Sequence, residues 1–250
     1  MMRRRLFALL GLLLVAGIAA LAVLPARWLM AALPGHGPLA IVDASGTIWS
    51  GTATLAVGPP HQRRRLAAPL RWRWSFSPGP RVQLAHPWLD GPLMLAFSPA
   101  GMAISSQTLT LPAQALATLD ARIAAIGPEG RLLLRWPATR IGRSAPNGEA
   151  GLLEAEWRDA ASALTPLRPL GHYRLTVSQD EGGSAKLALT TLQGPLLLEG
   201  NGSLNRRQSL QFSGSARADP TADAMVHAAL QDVLGALGPR QNNVTLLQYR

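Results

Sequence analysis

The sequence predicts a mainly β protein with a few helices: one N-terminal transmembrane helix, then a curved antiparallel β-sheet body built as two pseudo-repeats, each ending in a helix. Three observations carry this. Leu6 to Leu24 is an unbroken run without a charge. Beyond it the apolar residues fall into short runs interrupted by Gly, Pro, Ser and Asn, the rhythm of strands and turns. Finally, Gly91-Pro92-Leu93-Met94-Leu95 has a counterpart in Gly194-Pro195-Leu196-Leu197-Leu198, and Trp49 and Trp157 each end an early strand.

The apolar run is long enough to be an anchor. At about 1.5 Å per residue it spans roughly 28 Å, close to the hydrocarbon thickness of a bilayer. Arg3, Arg4 and Arg5 precede it and hold the N-terminus in the cytoplasm. Pro25 ends it, with Arg27 and Trp28 placed as interface anchors. The competing reading is a cleaved signal peptide, for which Ala19, Ala20, Ala22 and Ala26 speak. Its apolar region would be shorter, and Pro25 is poorly placed for processing, so a retained helix is favoured. Either reading puts the rest of the chain in the periplasm. The expected organisation is a cytoplasmic tip (1–5), the anchor (6–24) and two β-rich periplasmic repeats (25–142 and 143–250).

In the first repeat, Ala26 to Leu33 reads as a short helix stopped by Pro34-Gly35. Strands follow at Ala40–Val42, Thr47–Trp49, Ala53–Val57, Leu70–Phe76, Val82–Leu84, Leu93–Phe97 and Met102–Ser105, with turns at Pro59-Pro60 and Pro78-Gly79-Pro80. Leu70, Trp72, Trp74 and Phe76 alternate with Arg71, Arg73 and Ser75, a half-buried strand with an aromatic inner face. Leu116, Leu119, Ile123 and Ile126 recur at helical spacing, so Pro112 to Ile126 reads as a helix closed by Gly127-Pro128. Leu132–Trp136 is the next strand.

The second repeat follows a polar, turn-rich linker near Arg143–Glu149. Its strands are Gly151–Trp157, the alternating Tyr173–Val177, Lys186–Thr190, Leu196–Leu198, Leu210–Ser213 and Val244–Tyr249. Pro220 to Leu237 is a helix with Asp219 as N-cap and a stripe of Ala222, Met225, Ala229, Val233, Leu234 and Leu237. Such a stripe packs on its own sheet or docks on a partner helix, and Val233 is where the two cases separate.

Composition narrows the chemistry. The chain has 250 residues, 48% of them hydrophobic, enough for a packed core. With no cysteine it has no disulfide, thiolate metal site or cysteine nucleophile. The net charge of +10 invites a nucleic-acid reading, but only Lys186 is a lysine among 24 basic residues. The arginines are scattered apart from Arg3–Arg5 and Arg63–Arg65, with no basic face interleaved by aromatics, so no nucleic-acid partner is expected.

No two of His36, His61, His86, His172 and His227 sit at metal-ligand spacing. Glu154 and Glu156 share a strand face, where a carboxylate pair could do acid–base work. No other acid–base group is placed nearby by the sequence, so a solvated strand face is the stronger reading. Phosphate-binding loops and nucleophile elbows are absent from the sequence. No catalytic residue, cofactor or metal is therefore expected.

The most distinctive string is Ser45-Gly46-Thr47-Ile48-Trp49-Ser50-Gly51-Thr52-Ala53. Gly46 and Gly51 bracket it as in a hairpin, relieving turn strain while Ile48 or Trp49 faces inward. Leu24-Pro25-Ala26-Arg27-Trp28, then SGTIWSG at 45–51, then Leu70-Arg71-Trp72-Arg73-Trp74 resembles protein N of the type II secretion system. The resemblance implies a non-enzymatic inner-membrane accessory component of the machine that exports folded proteins from the periplasm across the outer membrane. Its implied partners are the other inner-membrane subunits, with membrane lipid around the anchor. Gly46, Thr47, Trp49, Gly51, Trp72 and Trp74 carry the match as structural residues. The alternative from a different class is a β-groove binding lipid or another hydrophobic ligand along Trp72, Trp74 and Phe76.

Overall fold

The computed structural model describes residues 2–28, 39–58, 63–118, 121–142, 151–179, 184–204, 210–242 and 244–249, without the side chains of 2–10, 118, 122 and 249. The expected helix end at Leu29–Leu33, the turns at Pro34-Gly35 and Pro59-Pro60, His36, His61 and the linker near Arg143–Glu149 lie outside the described residues. The chain forms two compact units, Met1–His86 and Pro87–Arg250. That boundary differs from the one between the expected repeats. Compactness and internal repetition are separate properties, so the boundary does not speak to the duplication.

In the first unit, α1 spans Met2–Ala22. Four antiparallel strands follow in the order β1 (Leu39–Gly46), β2 (Ser50–Val57), β4 (Leu70–Ser75) and β5 (Arg81–Ala85), and the two-residue β3 (Arg64–Arg65) pairs with the far end of β2. The core is made of small residues around one large one: Ala26, Ala53, Ala56 and Val82 are buried with Trp72. The strand expected at Thr47–Trp49 is instead the connection between β1 and β2. Gly46 pairs with Gly51, which leaves Thr47–Trp49 too few residues to do anything but turn.

Side chains of α1 are described from Gly11 onward, and every one from Gly11 to Ala22 is exposed. Leu12, Leu13, Leu14, Val15, Ile18 and Leu21 all face outward, so no face of this segment packs on its own chain. Among the described residues, no helix is long and apolar enough to cross a membrane.

The second unit holds an antiparallel ribbon of β6 (Leu93–Ser98), β7 (Gly101–Ile104) and β10 (Thr139–Gly142). It also holds an open nine-stranded sheet ordered β16-β17-β15-β14-β13-β12-β11-β9-β8. These strands are β8 (Gln107–Pro112), β9 (Pro128–Trp136), β11 (Gly151–Ser162), β12 (Gly171–Gln179), β13 (Ala185–Gln193), β14 (Leu196–Leu204), β15 (Leu210–Ala218), β16 (Arg240–Gln241) and β17 (Val244–Tyr249). Sequential strands are neighbours through most of it, as a meander requires. Leu170, Tyr173, Leu196, Leu198 and Ala216 form its core with Leu230, Val233 and Leu234 from the helices.

Both expected helices are shorter than their periodicity suggests. Pro112 ends β8, which pairs along β9, and the rest divides into a 3-10 segment (Ala113–Thr118) and α2 (Ala121–Ile126). Strand pairing of the alternating Leu109 and Leu111 outcompetes helix formation at that end. The second helix is two pieces, α3 (Ala224–Ala229) and α4 (Gln231–Leu237), sharing Leu230 as the residue between them. Asp223, not Asp219, is the N-cap: its side chain accepts from the Val226 backbone N–H at 2.8 Å. Asp219 instead accepts from the Thr221 N–H and hydroxyl, each at 2.8 Å, closing the preceding turn.

Candidate functional site

The SGTIWSG string ties the end of α1 to the sheet. The last carbonyls of a helix have no partner within it. Here Leu21 O accepts from Trp49 Nε1 at 2.8 Å and Leu24 O from the Ile48 N–H at 3.0 Å. Ala26 N–H donates to Gly46 O at 3.0 Å, and Pro25 bridges Thr47. The turn itself is closed by the Thr47 N–H donating to Ser50 O at 2.9 Å. Gly46 sits at φ +92°, where a side chain would be strained and its Cβ would lie 2.6 Å from Ser50 O. At Gly51 a Cβ would strike the Ser45 carbonyl and lie 2.6 Å from Trp72 Cζ2, so the Trp72 ring fills the space a side chain would need.

The structure brings the six residues of the string and the following strand together. Trp72 is 8% exposed and its Nε1 donates to Ile48 O at 3.0 Å. Trp74 N–H donates to Trp49 O at 2.7 Å. Trp49 meets Trp74 edge-on at 6.2 Å and Phe76 at 5.6 Å, while Trp74 and Phe76 stack at 5.9 Å. The aromatic face of β4 is therefore graded: buried at Trp72, half-buried at Trp74 and 60% exposed at Phe76, just past the strand end.

In the other unit a second tryptophan also donates to a backbone carbonyl, but to one on the neighbouring strand β9 rather than at a helix end. Trp157 Nε1 donates to Glu129 O at 2.8 Å, across the same separation of 28 residues as Trp49 and Leu21. Trp157 then packs against Tyr173 at 5.9 Å. The Tyr173 hydroxyl lies 3.1 Å from Leu170 O and 2.9 Å from Leu196 O, and burial pushes its ionisation well above the usual phenol range.

Glu154 and Glu156 do share a face, but it is an ionic ladder across three strands. Arg174 stands opposite Glu156 on β12 and Arg135 opposite Glu154 on β9. Glu156 is 5% exposed. Its Oε1 accepts from Arg174 Nη2 at 2.8 Å, and its Oε2 from Arg158 Nε at 2.9 Å and Nη2 at 2.6 Å. Arg135 lies 3.5 Å from both carboxylates. Arg174 Nε is 3.3 Å from Glu154, within ion-pair range but out of line for a hydrogen bond. The hydrogen bonds from Arg174 and Arg158 hold the Glu156 carboxyl down at about 2 against the opposing effect of burial.

A carboxylate held that low is a poor proton donor and a weak base near neutral pH. The adjoining open cleft, about 700 Å³, has Arg135 and Glu154 on its wall, already facing each other. Sequence reasoning missed this ladder because cross-strand register created it. No cluster of three metal-ligating residues exists among the described residues. His172 Nδ1 accepts from the Asp159 N–H, His86 Nε2 lies 3.2 Å from Ala68 O, and His227 Nδ1 lies 2.8 Å from Asp223 O.

Glu156 gives a pH test. Its carboxyl is held below its ordinary value in the fold, so its contribution is complete above about 4.5 and lost as the pH falls towards about 2. Glu156→Gln is expected to lower stability at pH 7 by about 1–3 kcal/mol, discounted because its arginine partners are partly solvated. The gap between parent and variant should close as the pH falls through that window, read by urea melts of the full chain in detergent. A constant gap would separate Glu156 from the acid response.

The family described as Type II secretion system (T2SS), protein N matches residues 37–246. The chain belongs to the protein N family of the type II secretion system. The match runs from the start of the first sheet to the last strand of the second, so membership rests on both units, and the expectation from SGTIWSG and the WRW strand holds. Helix α1 lies before the matched residues. No curated protein and no solved structure matches the chain.

Proposed function

We propose that this protein N family member is a non-enzymatic accessory component of the secretion machinery, held in the inner membrane by α1. Its N-terminus is cytoplasmic and its β units are periplasmic. It contributes to export of folded proteins across the outer membrane through contacts with other inner-membrane subunits. The observation that carries the anchor is the all-round exposure of apolar residues on α1. A helix apolar on every face is at its lowest free energy in a bilayer or a protein core, and this one packs on no core of its own along its described length. Family membership carries the machine.

An internal duplication is part of this reading; the equal span of 28 residues in the two tryptophan bonds is in keeping with it in sequence, while the acceptor lies on α1 in one and on β9 in the other. The lipid-groove alternative is not preferred, because Trp72, which would floor the groove, is packed beneath Gly51 and only 8% exposed.

Affinity capture of the tagged full chain from detergent-solubilised membranes is expected to recover other secretion subunits, and gene deletion to reduce exoprotein release. Capture of none of them, with export intact in the deletion strain, would remove the proposed role. Family membership would stand.

A further inference from the structure

The charge of the chain is unevenly divided. Met1–His86 carries ten arginines and a single acidic residue, Asp43, whereas acids and bases nearly balance in Pro87–Arg250. Arg3–Arg5 stand before the apolar run of α1, so seven arginines against Asp43 remain on the side of the sheet. Asp43 pairs with Thr54, farther up the hairpin from the Gly46–Gly51 turn.

The end of the sheet bearing that turn is also where the exposed aromatics collect. Trp28 is 61% and Phe76 60% exposed, with Trp49 and Trp74 half-buried between the strands and the end of α1. Register places arginines at both ends: Arg73 opposite Ser50 and Arg81 opposite Ser75 lie beside the turn, while Arg64 and Arg65 pair with Val57 and Ala56 at the far end, so it is the aromatics that single out the turn end. Arg27 precedes Trp28 and is exposed. The Nε of Arg81 is buried without a hydrogen bond.

Resting on the anchor reading above, we propose that this end of the first unit is a membrane-seating surface. Trp28, Trp49, Trp74 and Phe76 enter the boundary between headgroups and acyl chains, and Arg27, Arg73 and Arg81 bind the phosphates of anionic phospholipid. Continuity selects the bilayer as occupant. Trp49 is hydrogen-bonded to the last turn of α1, so wherever that helix leaves the hydrocarbon, the aromatic cluster stands at the same depth. Tryptophan is favoured at that depth because its ring is apolar and its N–H polar. Arginine near an anionic surface adds about fivefold in partition per residue. The Trp49 bond and the backbone pairs at Leu24 and Ala26 make the joint between helix and sheet short and stiff, so the sheet is held in a fixed attitude to the membrane plane.

The absence of cysteine makes the test clean. Ser75→Cys marks the proposed seat, and Leu39→Cys, exposed at the far end of β1, marks the opposite end. Each full-length variant carries an environment-sensitive fluorophore and is reconstituted into vesicles of phosphatidylcholine and phosphatidylglycerol, with a fraction of the lipid brominated just below the headgroup. Carbonate extraction is run on the same vesicles.

The expected result is carbonate resistance, with a blue-shifted Ser75→Cys probe quenched about twofold or more beyond the Leu39→Cys probe. Replacing Arg27, Arg73 and Arg81 by Gln, or omitting phosphatidylglycerol, should lower that quenching while carbonate resistance persists. Release by carbonate overturns the anchor, and the seating with it. Carbonate resistance with equal quenching at both probes overturns the seating alone. Quenching at Ser75→Cys that ignores both lipid charge and the arginines overturns the phosphate contacts.

Discussion

Val233→Asp is expected to abolish folding of the second unit. Val233 is 2% exposed, between Leu230 at 0% and Leu234 at 2%, against a sheet face built from Leu170, Tyr173, Leu196, Leu198 and Ala216. An unpaired carboxylate there costs on the order of 5 kcal/mol, whether it stays ionised or takes a proton, and that is comparable to the whole stability of a domain. Met225→Asp is the matched control. The sequence puts Met225 on the same stripe, but it is 82% exposed, so its substitution is expected to change stability by no more than about 0.5 kcal/mol. Folded yield and thermal melts of the detergent-purified full chain compare the two. A folded Val233→Asp protein that had lost only its partners would mean the helix is an interface.

Met225 and Val233 part company on either side of Leu230. Continuous 3.6-residue spacing aligns them, but Leu230 ends α3 and begins α4, and the stripe does not carry across. The Thr245 hydroxyl, fully buried, donates to Leu234 O at 3.0 Å and fastens α4 to β17. That contact spans the connection between α4 and β17, and no local pattern announces it. Local alternation did announce most strands, because one face of each is buried and period two follows directly. The string at 45–51 was legible as a hairpin from its two glycines. Its hold on α1 was not, since the Trp49–Leu21 bond depends on where the helix ends in space. The uneven division of acidic residues was legible throughout: one before Pro87 and the rest after it. Reading the arginines alone as scattered concealed it.

Trp72→Ala should be the most damaging single change in the first unit outside α1. The side chain is 8% exposed in a core otherwise made of alanine and valine, so nothing nearby can close the hole. Truncating a buried tryptophan to alanine costs about 3–5 kcal/mol, with the cavity term added where the surroundings cannot relax. The ring also lies against the Gly51 backbone and holds Ile48 O at 3.0 Å, so its loss frees the turn that receives the end of α1. Trp72→Phe separates these contributions. It keeps most of the apolar volume and removes the Nε1 donor, so its cost is expected near 1 kcal/mol. Hydrogen exchange is the direct readout: amides of β1, β2 and β4, and the Ile48 N–H bonded to Leu24 O, should lose protection in Trp72→Ala and largely keep it in Trp72→Phe. A Trp72→Ala protein as protected as its parent would show that the hairpin and the end of α1 hold together without the ring. The joint between helix and sheet would then reside in the backbone pairs at Leu24 and Ala26 and in Trp49 alone.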